Sequence, residues 1–360
     1  MALNEYRLLG RTGLRVSRLC LGTMTFGTEW GWGSAEETAR QIYNRFLDSG
    51  GNFIDTADGY TNGTSERLIG KFIKDRGDRD RTVLATKYTF SRRSGDPNAG
   101  GNGRKNLNAA IDASLQRLQT DYVDLYWVHN WDMVTPVEEV VASLTNLVQR
   151  GKIRYFGFSN VPAWYLGRGF TLAELRGWER VCALQMEYSL VERNIEREFV
   201  PAALEFGLGI CPWSPLGGGL LTGRYRAAQG VVEGEGRLQA LRTEENPALV
   251  RRTQNPKNWK IAEELIAVSE QIGRSPAQVA LNWVTNRPGV ASTIIGATKL
   301  KQLDDNLASL DFAIPPDLLQ RLDEVSRPAS EYPYVFFESF LQNMVSGGTN
   351  IVRPESAAAD

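Results

Sequence analysis

Eight times along this 360-residue chain, a short apolar run is followed by a stretch whose apolar residues recur at helical spacing. The runs are Ser17 to Met24, Asn52 to Asp55, Thr82 to Lys87, Tyr122 to Val128, 153–158, 182–186, 208–212 and Ser292 to Ile295. The helical stripes are plain from the start, with Ala39, Ile42, Tyr43, Phe46 and Leu47 on one face of the first and Leu107, Ile111, Leu115 and Leu118 on one face of the third. Strictly alternating strand–helix units without low-complexity linkers fold by wrapping helices round a parallel sheet. Eight of them favour a closed (β/α)8 TIM barrel, one domain over 1–360 with its core at about 17–326 and a C-terminal tail over 327–360. An open doubly wound sheet is the competing arrangement, but no G-x-G-x-x-G follows the first strand. Ahead of the barrel, Tyr6 to Leu9 and Leu14 to Val16 flank a Gly10-Arg-Thr-Gly13 turn and read as a hairpin able to plug one end. Local signals set helix starts: Ser34-Ala-Glu-Glu37 reads as a capping box, and Thr135-Pro136-Val-Glu138 as an N-cap, N1 proline and N3 glutamate. The stretch from about 214 to 256 reads as a long irregular insertion, and the last six residues as frayed.

Composition excludes several functions. With 41 basic and 42 acidic residues the formal net charge is −1, so neither nucleic acid nor an anionic membrane surface is an expected partner. No apolar run is long enough to span a bilayer, and the first residues lack the charged-then-apolar design of a signal peptide. Cys20, Cys182 and Cys211 are scattered, each inside an apolar run, which predicts buried thiols rather than a disulfide framework or a metal site. The expectation is a cytoplasmic protein in a reducing compartment.

In a parallel barrel all C-terminal strand ends face the same way, and function is read from them. Three consecutive ends bring Asp55 with Tyr60, then Lys87, then His129, the one histidine of the chain. A free phenol, with a pKa of about 10, is a poor proton donor at neutral pH. An adjacent ammonium stabilises the phenolate, a carboxylate behind the ammonium keeps it charged, and an imidazole beside the phenol can orient a carbonyl oxygen. These four groups form a general acid for a carbonyl becoming an alcohol. They lack a hydride source, so a cofactor is required.

The chain resembles the aldo-keto reductases, from Gly22-Thr23 to Asn306. The resemblance rests on Asn52-Phe-Ile-Asp-Thr-Ala-Asp-Gly-Tyr60, Thr86-Lys87, Val128-His129-Asn130-Trp131-Asp132 and Gly151-Lys-Ile-Arg-Tyr-Phe-Gly-Phe-Ser-Asn160. Trp213-Ser-Pro-Leu-Gly-Gly-Gly-Leu-Leu-Thr-Gly-Arg-Tyr225 and Ile295-Gly-Ala-Thr-Lys-Leu-Lys-Gln-Leu-Asp-Asp-Asn306 complete it, in family order. It implies a catalytic tetrad of Asp55, Tyr60, Lys87 and His129, and no metal. It also implies a cofactor site that begins at Gly22, Thr23 and Met24. Ser159, Asn160 and Gln185 would hold a nicotinamide carboxamide, and Trp213 would stack on the ring. Ser214, Pro215, Leu216, Gly218 and Leu220 would pass the pyrophosphate, with Arg224 as a phosphate partner.

At the adenosine end Gly296, Thr298, Gln302, Asp305 and Asn306 resemble the branch of bacterial members and potassium-channel β subunits, with Gln302 where many members carry an arginine for a 2′-phosphate. Lys299 and Lys301 are two further cations there. The resemblance implies NADP(H), with NAD(H) as the alternative. Trp30, Trp32, Tyr88 and Trp131 are the candidate pocket walls, with the rest of the stretch from Tyr88 to Gly103, the 214–256 insertion and the aromatic tail as further wall segments, suited to a small-molecule carbonyl, whether aromatic, a keto-sugar or a secondary metabolite. The expected activity is NADP(H)-dependent reduction of an aldehyde or ketone with Tyr60 as acid. The alternatives are an alcohol or sugar dehydrogenase in the oxidative direction, or a cofactor-sensing regulatory subunit. Oligomeric state is left open.

Overall fold

A computed structural model describes residues 3–228, 231–233 and 247–349, and divides into two compact units after Ser326. In the first unit β1 (Tyr6–Leu8) and β2 (Arg15–Ser17) pair antiparallel, with Arg7 opposite Val16. Their turn is seated on the barrel floor. Gly10 takes φ +63°, and a Cβ there would lie 2.5 Å from the Cys182 carbonyl oxygen, so only glycine lets the turn come this close. Leu9 and Val16 are buried in the same apolar cluster as the barrel interior, so the hairpin does plug one end.

Eight parallel strands make the barrel: β3 (Leu19–Gly22), β4 (Phe53–Asp55), β5 (Val83–Tyr88), β6 (Val123–Val128), β7 (Ile153–Ser159), β8 (Ala183–Glu187), β9 (Gly209–Trp213) and, after a small antiparallel ribbon of β10 (Arg226–Ala228) and β11 (Val231–Glu233), β12 (Thr293–Ile295). β12 pairs with β3, so the order runs once round, and Ile210 on β9 closes the ring by accepting from Ala291 N at 2.9 Å and donating to Gly289 O at 2.8 Å. Each strand alternates between two cores. On β5, Val83 and Ala85 join the interior cluster while Leu84 and Tyr88 face the helix layer. Trp127 fills the middle of the barrel against Gly157, where a Cβ would sit 2.2 Å from its ring. The three cysteines are buried free thiols, as their apolar settings predict.

The outer layer comprises α1 (Glu36–Asp48), α2 (Thr64–Arg76), α3 (Arg104–Leu118), α4 (Val137–Gln149), α5 (Ala163–Arg176), α6 (Phe199–Phe206), α7 (Pro247–Gln254), α8 (Pro256–Ile272), α9 (Pro276–Thr285), α10 (Leu300–Leu307) and α11 (Pro316–Ser326). Ser275 and Gln278 form a true capping box on α9. The two expected side-chain caps are not made, because each hydroxyl is taken by another acceptor, and each helix starts one residue later than expected. Ser34 Oγ donates to Thr298 O (3.3 Å), and α1 starts after Ala35 without a side-chain cap. Thr135 Oγ1 donates to Asp132 Oδ2 (2.5 Å), and Pro136 takes the cap position of α4. The 214–256 stretch is also less irregular than expected, since it carries a 3₁₀ turn over 217–222, the β10–β11 ribbon and α7. In the second unit the described residues form a short 3₁₀ turn over 334–337 and α12 (Ser339–Val345). The expected fraying of 355–360 lies outside the described residues.

Packing at Gly157 gives a direct test. Gly157→Ala overpacks the barrel centre and lowers the unfolding free energy by about 1–3 kcal/mol. Gly167→Ala on α5, where a Cβ meets nothing within 4 Å, raises it by about 0.5–1 kcal/mol; urea unfolding of both variants reads the contrast.

Candidate active site

The C-terminal ends of β3 to β6 extend past the sheet as a shared ladder. Thr23 N donates to Asp55 O (2.9 Å), Thr56 N to Ala85 O (2.9 Å), Asp58 N to Lys87 O (3.1 Å) and His129 N to Tyr88 O (3.0 Å). This ladder fixes the loop that carries Tyr60. Beyond Tyr60 the chain passes through two left-handed non-glycine residues, Thr61 (φ +44°) and Asn62 (φ +55°), before α2 starts. Thr61 Oγ1 donates to Phe26 O (2.7 Å), while Ser65 Oγ bridges Thr23 and Thr56, holding that strained corner by buried hydroxyls.

At the centre lies Lys87, with no exposed surface. Its Nζ ion-pairs with Asp55 Oδ2 and donates to Thr56 O (2.8 Å) and to the Tyr60 hydroxyl (3.1 Å). Three donors find three acceptors, so the ammonium is fully satisfied. Burial works against its charge, but Asp55 and then Tyr60 outweigh that and hold its pKa above the ordinary lysine value. Asp55 is braced from across the barrel, accepting at Oδ1 from Gln185 Nε2 on β8 (3.0 Å).

His129 stands on the other side of the phenol, its ring 5.9 Å from that of Tyr60 and nearly perpendicular to it. Burial, and then the Lys87 charge, push its pKa well below the usual histidine value, so the imidazole is neutral. Its Nδ1 is enclosed with no hydrogen-bond partner among the described residues. An unpaired buried N–H costs more than an unpaired lone pair, so the proton belongs on Nε2. The four groups expected from the strand ends are therefore together: an ammonium against a phenol, a carboxylate behind it and a neutral donor beside it. Such a set can deliver a proton to a carbonyl oxygen and hold that oxygen in place.

Part of the candidate cofactor set adjoins this cluster, Thr23 and Gln185 through Asp55 and Asn160 through the His129 carbonyl. Gly22 and Thr23 are buried and serve the ladder, while Met24 is half-buried. Asn160 Nδ2 donates to Ser159 Oγ (2.9 Å) and His129 O (3.0 Å), and its Oδ1 accepts from Trp213 Nε1 (3.2 Å), which sets the angle of the indole. Among the described residues Gln185 keeps its carbonyl oxygen and one N–H, and Ser159 its hydroxyl proton: a donor–acceptor set that fits a primary carboxamide. Beyond Trp213, Ser214 (φ +53°) and then Gly217, Gly218 and Gly219 (φ +59°, +70° and +109°) make a tight turn over Pro215 and Leu216. Leu220 is buried against Tyr225, and Arg224 is exposed. That run of left-handed glycines presents bare backbone, which fits close passage of a pyrophosphate.

At the far end, Gln302 Oε1 accepts from Thr298 N (2.8 Å) and Oγ1, and Asn306 Nδ2 donates to Gly296 O (3.2 Å). Asp305 is turned onto the start of α9, accepting from Gln278 Nε2 (2.8 Å) and Ser275 Oγ.

Of the candidate pocket walls, Trp30 lies edge-on to Tyr60 at 6.4 Å with Trp32 behind it at 5.5 Å, and Trp131 packs on Trp164 and Tyr165. Tyr88 is misplaced in that group. Strand alternation turns it away from Lys87, and its ring is buried and stacked on Tyr126 at 5.0 Å. Sequence reading missed the Thr56 carbonyl and the Gln185–Asp55 brace, and took in Phe90, whose ring lies 4.9 Å from His129, only as part of the stretch from Tyr88 to Gly103. No spacing signal marks the first two: one is a backbone group, and the other joins strands on opposite sides of the barrel.

Residues 18–327 match the Aldo/keto reductase family. Curated relatives include norsolorinic acid reductase stcV of Emericella nidulans, 36% identical over 91% of this chain and 83% of its own length. Others are an aryl-alcohol dehydrogenase [NADP(+)] of Phanerodontia chrysosporium (32%; 90% and 86%) and a putative voltage-gated potassium channel subunit beta of Schizosaccharomyces pombe (36%; 89% and 92%).

The buried ion pair yields a stability test. Lys87→Met strands the Asp55 carboxylate and costs about 3–5 kcal/mol of unfolding free energy, whereas adding Asp55→Asn removes the stranded charge and recovers more than half. Denaturant melts of the two single variants and the double variant measure the coupling.

Proposed function

The chain belongs to the aldo/keto reductase family and is an NAD(P)H-dependent carbonyl oxidoreductase; from that premise we propose that it reduces an aldehyde or ketone with NADPH, using Tyr60 as the general acid. The observation that carries the reading is the Lys87–Tyr60 contact at 3.1 Å, backed by the Asp55 ion pair. A reduced nicotinamide, when bound, supplies the hydride to the carbonyl carbon. This chain's residues do the rest. Ser159, Asn160 and Gln185 would hold the carboxamide, and Trp213 would stack on the ring. The Tyr60 hydroxyl and the His129 Nε2–H converge on the carbonyl oxygen, polarising it and fixing its position. As charge develops on that oxygen the phenol proton moves to it, and the Lys87 ammonium stabilises the phenolate left behind. Asp55 keeps the ammonium charged and fixed.

A phosphate-bearing cofactor accords with the name of the NADP(+) relative and with Arg224, Lys299 and Lys301, all exposed beside the residues proposed to hold the dinucleotide. The same groups run backwards for alcohol oxidation, the phenolate then acting as base, and relatives named for aryl-alcohol dehydrogenation favour that as the second direction. A cytoplasmic setting and a small-molecule substrate complete the proposal. No helix among the described residues is long and apolar enough to cross a membrane.

Two outcomes test the reading. Tyr60→Phe lowers kcat for carbonyl reduction by at least about 100-fold while NADPH binding, read by fluorescence quenching, is unchanged. Because burial keeps His129 neutral, kcat/KM for reduction shows no inflection near pH ~6.5, where an ordinary histidine titrates. A fall in activity on acidification through that value would show an imidazole that charges.

A further inference from the structure

Two exposed aromatic rings flank the acid and its neighbour, and one of them is held there by an unusual backbone. Trp30, 37% exposed, stands edge-on to Tyr60, and Phe90, 50% exposed, stands edge-on to His129. Continued strand alternation past Tyr88 would have pointed residue 90 outward, toward the helix layer. Thr89 prevents this with φ +137°, a conformation that a β-branched residue rarely adopts. It is held by a hydrogen bond from Thr89 Oγ1 to Asn102 Oδ1 (2.7 Å) and another from Gly101 N to Thr89 O (2.7 Å). The strain is spent on putting a phenyl ring over the site, and backbone strain of this kind is commonly kept for function.

Several polar side chains nearby are committed to one another, while the exposed Arg92 lies close to Gly59. Asn160 uses its amide on Ser159, His129 and Trp213, Asn130 Nδ2 donates to Trp131 O (2.7 Å), and Asp132 serves Asn102, Val134 and Thr135. A polyhydroxylated substrate entering here would lose water and find few replacements. A flat, apolar ring loses little and gains two aromatic neighbours.

We propose that Phe90 and Trp30 form the two sides of a slot over Tyr60 and His129, and that Phe90 is the residue that selects aryl aldehydes and aryl ketones over saturated-ring and sugar carbonyls. The proposal rests on Tyr60 being the proton donor. It is tested with NADPH oxidation on benzaldehyde, cyclohexanecarbaldehyde and D-xylose, which separate flatness from size and from hydroxyl content. For the wild-type enzyme kcat/KM falls in that order. Phe90→Ala raises KM for benzaldehyde by about 3- to 12-fold, as loss of one aromatic pair implies, and moves KM for cyclohexanecarbaldehyde by less than about 2-fold. Phe90→Tyr restores the aryl preference. A ring that only props up His129 gives a different pattern: Phe90→Ala then lowers kcat for all three substrates alike, and the selective role is overturned. Equal wild-type kcat/KM for benzaldehyde and cyclohexanecarbaldehyde overturns it as well. Full activity in Tyr60→Phe, or no reduction of any of the three with either NADPH or NADH, instead removes the proton-donor reading beneath it.

Discussion

A lysine without solvent and a carboxylate almost without it can coexist only as a pair, and this pair holds the rest of the molecule to account. Leaving either charge unmatched inside a barrel costs several kcal/mol, so the ends of β4 and β5 must meet in one register. They do: Asp55 aligns with Ala85, placing Lys87 one pleat further along the same inward face. The second carboxylate oxygen is met by Gln185 from β8, on the opposite side of the ring. The ion pair forms between neighbouring strands, but its second carboxylate oxygen is satisfied only when the sheet has closed, which ties the site to completion of the fold.

The same pair explains the character of the two outer groups. An ammonium that has spent its other hydrogens on Asp55 and Thr56 presents its remaining one to Tyr60. The imidazole next to it is kept neutral by burial and by that positive charge, so it is not a competing acid. Hydroxyls that look incidental in the sequence (Thr23, Thr56, Thr61 and Ser65) turn out to fix the corner from which the phenol projects.

The barrel, its plug and the four central groups were legible in the sequence because each follows from a repeated local rule: apolar runs, helical stripes and polar residues at strand ends. What was not legible depends on contacts between distant segments. Ser34 carries a good capping signal but gives its hydroxyl to the distant Thr298 carbonyl, while Thr135 is diverted by a competing local turn at Asp132. Tyr88 is expected as a pocket wall because it begins the stretch after Lys87, although period-two geometry sends it to the opposite face. Phe90 lies in the same stretch but is not singled out, since only the positive φ at Thr89 brings it beside His129.

The central claim is that the buried ammonium sets how readily Tyr60 gives up its proton. Single-turnover carbonyl reduction, followed across pH 6–10 in the wild type and in the Asp55→Asn/Lys87→Met double variant, addresses it without leaving a stranded charge. If the ammonium stabilises the phenolate, the alkaline fall in rate comes at lower pH in the wild type, and removing both charges moves it upward. Coincident alkaline limbs in the two proteins would contradict the account.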